Sequence, residues 1–499
     1  MKKRSLNQWF RWLHKWAGLV AALWLIVLGG TGFVLDHPEW RATSQATVPE
    51  SWGSPDLTRF IRVTYMRKIL VDSNDSSRWL GGSERGLWSS DDGGSSWQPV
   101  TFEGIDYSPQ ILALTPHPVE GHAGALVGTD EGIWQISPRG TAEYFALEEH
   151  SVNSLTPGAG TSEVLGVSRK SQVFVFDTAT GQVDWADMQP VEPVISGPVT
   201  LNRYILNTHF GHGLAEGKYG VLINDYGGIA MVILGTSGFL FWFTRRRWRR
   251  SPSLSTPQRK KRITAWLFRS HAPIIGILAI VPIFYVSVTG IFGDHIRAIY
   301  KWSESITVPA VLVPAGFSMR SLADDIQDIV LNPADPDELI IATRKGLYTS
   351  RDNGRHWQRD DRLPIQKADY GNSLNLFRVG DAIFLGAGLD ASYASQDGGE
   401  TWVPVSGPFT GISSGAYSDG TWYLKNSQGV FAGASPYETQ QTQVKPPPLE
   451  GMPVFLFLAD IHTGHAIAPW FPWVNDFFAV LALVLIVSGP IIWWRRKWM

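Results

Sequence analysis

The hydropathy pattern divides the chain into four long apolar runs and two long, more polar stretches. The runs lie at about 16–35, 221–243, 272–292 and 473–494, and each has the roughly 20 residues that a helix needs to cross a bilayer. They predict four transmembrane helices, the third kinked by Pro282. The polar stretches carry short β-like runs such as Gly86-Leu87-Trp88-Ser89 and Gly346-Leu347-Tyr348-Thr349. The resulting division is 1–36 for the first helix, 37–220 for a first outside segment and 221–244 for the second helix. A basic loop follows at 245–270, then the third helix at 271–293, a second outside segment at 294–472, and the fourth helix with its tail at 473–499.

Basic residues orient these spans. They cluster at Lys2, Lys3 and Arg4, at Arg245, Arg246, Arg247, Arg249 and Arg250, at Arg259, Lys260, Lys261 and Arg262, and at Arg495, Arg496 and Lys497. The positive-inside rule then puts both termini and the 245–270 loop in the cytoplasm, against membrane lipid, and the two long segments outside. The first run is not read as a cleaved signal peptide, because no small-residue cleavage site follows it and it has a counterpart in mid-chain.

That counterpart reveals an internal duplication. His14 begins the first run and His271 the third; Thr31-Gly32 matches Thr289-Gly290, and Asp36-His37 matches Asp294-His295. The later copy is one residue longer, so a bulge or kink must absorb the slip. The second and fourth runs match as well: His209 and His212 correspond to His462 and His465, and Asn224-Asp225 to Asn475-Asp476. Eight of the 12 histidines fall in these four pairs; His117, His122, His150 and His356 do not.

Composition narrows the chemistry. Charged residues are 18%, there are 23 tryptophans, and cysteine is absent, while the mean hydropathy is near zero. Without cysteine there are no disulfides, thiolate metal sites, iron–sulfur clusters or thioether-attached haem. The net charge of −2 gives no sign of a nucleic-acid partner, and none is expected. No Walker A or dinucleotide fingerprint is visible.

A bis-histidine haem needs two imidazoles from opposite helices at one depth. His14 and His271 meet that condition on the inner side; His37, His209, His212, His295, His462 and His465 lie near the outer face. At 1.5 Å of rise per residue the two levels are about 25–35 Å apart, so two or more non-covalent haems are expected. The i,i+3 spacing of His209 with His212, and of His462 with His465, places each pair on one helix face. Direct copper, zinc or iron binding by the same histidines is the alternative. Asn224-Asp225 and Asn475-Asp476 are read as helix N-caps. Asp36 and Asp294 are read as solvated loop residues, or as partners that hold a neighbouring imidazole tautomer.

The pattern of Leu-His followed by Thr-Gly, a distant His-x-Gly-His, and a span closing on Gly, Trp and Arg resembles the PepSY-associated transmembrane family. The resemblance covers the four spans. It implies a bacterial inner-membrane protein with histidine-ligated b-type haem, related to iron-regulated membrane proteins and ferric-siderophore reductases, and points to His14, His209, His271 and His462 as ligands. The outside segments do not look like PepSY domains.

Those segments instead carry three Asp-boxes, Ser90/Asp92/Gly94/Trp97, Ser350/Asp352/Gly354/Trp357 and Ser395/Asp397/Gly399/Trp402. In each, Ser and Asp bond a tight turn, Gly takes a positive φ and Trp packs beneath the hairpin. Such boxes resemble those of β-propellers, including sialidases, sortilin-like receptors and photosystem assembly factors. With degenerate units near 125–140, 164–185 and 421–432, there are about three blades per segment, a count that closes only if both segments join one propeller. The boxes are structural, and no arginine cluster with a tyrosine nucleophile marks a sialidase.

The fold class is therefore mixed: a four-helix transmembrane bundle from two tandem repeats, plus an all-β extracytoplasmic propeller formed by two insertions. The expected function is a transmembrane haem conduit, an oxidoreductase that takes electrons from quinol or a cytoplasmic donor and reduces a periplasmic ferric chelate or other metal species. The alternatives are a membrane-anchored propeller that scaffolds a protein partner without redox activity, and a haem or metal transporter.

Overall fold

The computed structural model describes residues 6–38, 40–57, 66–119, 124–137, 140–191, 199–215, 218–250, 256–269, 271, 275–317, 321–323, 326–343, 346–362, 374–387, 391–405, 411–448 and 451–498. Lys2, Lys3, Arg4 and His122 lie outside them. The chain divides into a helical unit, Met1–Ser54 with Pro198–Phe317 and Met452–Met499, and a β unit, Pro55–Gly197 with Ser318–Gly451.

The helical unit contains α1 (Leu6–Leu35), α2 (Leu201–His209), α3 (Lys218–Arg250), α4 (Ile280–Asp294), α5 (Val454–Thr463) and α6 (Pro472–Trp498). Among the described residues three helical stretches, Gln8–Leu35, Tyr219–Arg250 and Pro472–Trp494, are long and apolar enough to cross a membrane. The third predicted span differs. Residues 272–274 lie outside the described ones, Ile275 and Gly276 form a π-helical turn, and the 15-residue α4 starts only at Ile280. A π-turn accommodates one extra residue, which is the slip between the two repeat copies. The irregularity sits ahead of Pro282 because the helix restarts at Ile280, leaving Pro282 in the first turn, where its missing N–H costs little.

α1 packs against α3 and α6, and α4 packs against the same two. Small residues permit this: Ala21, Ala230, Ala279 and Ala482 share a core with Leu25 and Ile283, and a Cβ on Gly29 would come within 2.5 Å of the Gly228 carbonyl. Close backbone approach through small residues is the usual basis of helix contact in lipid.

In the β unit six four-stranded antiparallel meanders span 68–99, 111–146, 152–185, 326–360, 374–404 and 414–441. The first strand of each touches the first strand of the next, and the sixth touches the first, so the sheets form a closed, propeller-like ring with three blades from each insertion. The ring passes between insertions at two places. Ile329 N–H donates to the Ser154 hydroxyl (3.2 Å); Ile69 N–H donates to the Ser414 hydroxyl (2.9 Å), which donates back to the Ile69 carbonyl (3.0 Å). Apolar side chains fill the gaps between blades, as where Leu165, Val167 and Val173 meet Ile329, Ile341 and Tyr348.

The three Asp-boxes link the third and fourth strands of blades 1, 4 and 5. In the first, the Ser90 hydroxyl donates to Asp92 (2.8 Å), Gly94 N–H donates to Ser90 Oγ (3.0 Å), and Ser96 N–H donates to Asp92 (2.8 Å). These donors, those of Ser96 foremost, hold the Asp92 carboxyl down to about 2. Trp97 is buried and donates to the Lys445 carbonyl (2.6 Å).

Candidate functional site

Four of the predicted histidines meet as two pairs. His14 near the start of α1 faces His271, with ring centroids 6.2 Å apart and planes at 83°. His209 at the end of α2 faces His462 in α5, at 6.4 Å and 53°. Along α1, the level of His14 and the level of Thr31, which contacts His462, are about 25 Å apart at 1.5 Å per residue.

All four rings are seated alike. Nδ1 of His14 bonds Ser488 Oγ (2.8 Å), His271 bonds Ser237 (2.9 Å), His209 bonds Thr289 (3.1 Å) and His462 bonds Thr31 (2.8 Å). The residue after each hydroxyl is glycine, and the ring lies on it. A Cβ on Gly489, Gly238, Gly290 or Gly32 would meet the Cε1 of its histidine at 3.4, 3.2, 3.5 or 3.3 Å respectively. Every seat lies on the opposite half of the chain from its histidine. The hydroxyl bond of each of these four rings is made at Nδ1.

The outer pair borders a small, partly open cavity lined by Leu25, Leu28, Met231, Val286 and Ile291 as well as Asp294 and Asp476. The backbone of this pair is pinned by the duplicated asparagines: Asn224 donates to the His209 carbonyl (2.7 Å) and Asn475 to that of His462 (3.0 Å). Tyr285 O–H donates to Asn224 Oδ1, and Trp24 Nε1–H donates to Asn475 Oδ1 (2.7 Å).

The other four histidines are placed differently. His37 pairs with Asp225 (3.1 Å) and stacks on Trp40 (4.4 Å, 4°). Its counterpart His295 pairs with Asp476 (2.8 Å) and lies 4.3 Å from the Trp473 ring. This corrects the N-cap reading of Asn224-Asp225 and Asn475-Asp476, which lie within α3 and α6 and tie down histidines and their backbones. Asp294 is not a solvated loop residue either, since Asn475 donates to it (3.2 Å). His212 and His465 do not share a helix face with His209 and His462. The chain turns at Gly211 (φ 75°) and Gly464 (φ 82°), so both fall beyond the helix ends, His465 with its Nδ1 on Thr463 (2.9 Å).

Sequence reading missed Ser237, Ser488, Trp24 and Tyr285. A signal for the serines was present, because Ser237-Gly238 and Ser488-Gly489 stand at the same spacing beyond Asn224 and Asn475.

What the seats allow is a test of fit to haem. Two imidazoles bonded to one metal at about 2.0–2.1 Å have centroids about 6 Å apart, which both pairs match. Among the described residues no group of three or more His, Asp or Glu converges on a metal position; each pair offers two nitrogens, the axial set of a bis-histidine haem.

No curated protein matches the chain. Among solved structures it is similar to an ancestral GH74 enzyme, at 13% identity and a TM-score of 0.34, covering 78% of this chain and 36% of that one. It is similar also to a protein of unknown function from Bacteroides thetaiotaomicron, at 7% identity and a TM-score of 0.37, covering 74% and 69%. YCF48 in a peptide-bound form gives 11% identity and a TM-score of 0.30, covering 74% and 93%. The chain thus spans about a third of the first of these, and likenesses this distant carry no functional argument. The family comparison differs in kind: the model of the PepSY-associated TM region matches residues 11–496, from the start of α1 to the end of α6. The chain belongs to the PepSY-associated TM family.

Proposed function

We propose that the chain is a four-pass inner-membrane protein that holds two b-type haems, one near each face, and carries electrons outward to a periplasmic acceptor such as a ferric chelate. The two facing imidazole pairs carry this reading. His14 and His271 would hold the inner group, and His209 and His462 the outer. Haem bound there supplies reversible one-electron chemistry.

The chain's own residues supply position and environment. Hydroxyls at 31, 237, 289 and 488 hold the four Nδ1 atoms, and the glycine beside each lets the ring lie close. Leu25, Leu28, Met231 and Val286 keep the cavity beside the outer pair largely apolar. The separation of about 25 Å between levels supports two groups over one. Basic residues at 245–250 and 259–262 support a cytoplasmic location for the His14/His271 end, where quinol or a cytoplasmic donor would deliver electrons. The insertions that build the blades then lie in the periplasm.

The test is vectorial reduction. Vesicles carrying the purified protein, with a membrane-impermeant reductant enclosed, are given ferric citrate outside. The expected result is external Fe(II) with the wild type and only the protein-free background with His14→Ala or His209→Ala. Equal rates in wild type and both variants would contradict the reading.

A further inference from the structure

The four histidine seats repeat one arrangement on four helices. Two hydroxyls are already committed as donors to their own helix at short range: Thr31 to the Val27 carbonyl (2.7 Å) and Thr289 to the Tyr285 carbonyl (2.6 Å). Ser237 and Ser488 donate more weakly, to Leu234 (3.3 Å) and Leu485 (3.4 Å). Such back-bonding is common for Ser and Thr within helices. A hydroxyl whose proton is committed to a carbonyl can only accept from a neighbouring imidazole. At Thr31 and Thr289 the facing ring is then the donor, with its proton on Nδ1 and its lone pair on Nε2; the matching seats at Ser237 and Ser488 extend the same tautomer to His271 and His14 as part of the inference. The opposite tautomer would leave Nε2–H, which cannot bind a metal.

From this geometry we infer that Thr31, Ser237, Thr289 and Ser488 are positioning residues, which fix the tautomer and rotation of His462, His271, His209 and His14 so that each Nε2 is presented to its partner ring. The tautomer is argued from the hydrogen-bond geometry; its consequence for cofactor binding rests on the haem reading above. Because every hydroxyl comes from the half opposite to its histidine, each two-nitrogen site is completed by both repeats.

The arrangement also fixes the angle between rings. With planes 83° apart at the inner pair and 53° apart at the outer, the residues would hold haem in two different imidazole settings, so the two centres would differ in their electron paramagnetic resonance.

The test uses full-length protein with Thr31→Val, which keeps shape and removes the acceptor, and Thr31→Ser, which keeps the hydroxyl. Ser237→Ala and Ser237→Thr repeat it at the inner pair. Nitrogen NMR of histidine-labelled, cofactor-free protein reads the tautomer directly. The expected result is Nδ1–H at His462 in the wild type and in Thr31→Ser, with a mixture in Thr31→Val. In haem-loaded protein, Thr31→Val binds one of two haems about 10–100-fold more weakly, the usual cost of losing an imidazole's outer partner. The midpoint potential and electron paramagnetic resonance of that haem shift while the other keeps both, and Thr31→Ser restores them. An Nε2–H tautomer in the wild type overturns the inference, as does a Thr31→Val protein whose affinity, potential and resonance match the wild type. A wild type that takes up no haem overturns the haem reading, and the NMR result then decides the tautomer by itself.

Discussion

At the scale of single residues, Lys425 shows how burial is read as pH dependence. It lies on the second strand of blade 6, is 2% exposed, and its ammonium donates to the Asn426 carbonyl. Burial, with a smaller push from Arg67, brings it from 10.5 down to about 7. Between those two values the unfolded chain holds a proton that the folded chain lacks, so this lysine makes stability rise with pH over that window. Lys425→Met should flatten the rise: thermal midpoints recorded from pH 7 to 10 should climb more steeply for wild type than for the variant, and parallel curves would show that the ammonium is not desolvated. The same scale shows what a sequence can and cannot disclose. The eight duplicated histidines are visible because duplication writes each of them twice. Their seats are not, because contact joins residues as distant as His14 and Ser488, and a Ser-Gly inside an apolar run looks like ordinary packing. Asn224 and Asp225 were misread because Asn-Asp at the head of an apolar run has the composition of a cap; their bonds to His209 and His37 depend on tertiary contacts that local pattern does not encode.

Elements were legible where local chemistry determines them. The Asp-boxes specify their turns through Ser, Asp and Gly within a few residues, and the first, second and fourth apolar runs form long helices, the fourth continuing through Pro490. The third run was legible only as hydropathy. Its π-turn at Ile275–Gly276 is forced by the need to bring both His271 and Thr289 to their partners across a segment one residue longer than its counterpart. The short helices α2 and α5, which carry His209 and His462, end near Gly211 and Gly464, and that break set aside the shared helix face expected for the i,i+3 pairs. Blade closure belongs to this scale too. Ser414 joins blade 6 to the Ile69 backbone through two hydrogen bonds, beside those from the hydroxyls of Ser413 to the Arg67 carbonyl and Ser418 to the Asp72 carbonyl. Ser414→Ala leaves buried groups of the first strand unpaired, at a cost of about 1–3 kcal/mol. A lower thermal midpoint for the β-sheet signal, with an unchanged histidine site, is the expected outcome, and an unchanged midpoint would show that closure does not depend on Ser414.

At the scale of the whole molecule, the two halves of the sequence are interleaved within each unit. The blade ring passes twice from one insertion to the other, and all four histidine seats join opposite repeats. Neither half contains a complete two-nitrogen site, which is why the duplication carries more chemical meaning than either copy alone. The central claim is that these two sites are haem sites. The most direct measurement is the reduced-minus-oxidised optical spectrum of the full chain purified after expression with ample haem, with haem quantified per chain. The account predicts two haems per chain, both low-spin with a sharp b-type α-band, falling to one in His14→Ala and one in His209→Ala. A colourless protein, or a haem content unaffected by either substitution, would contradict it.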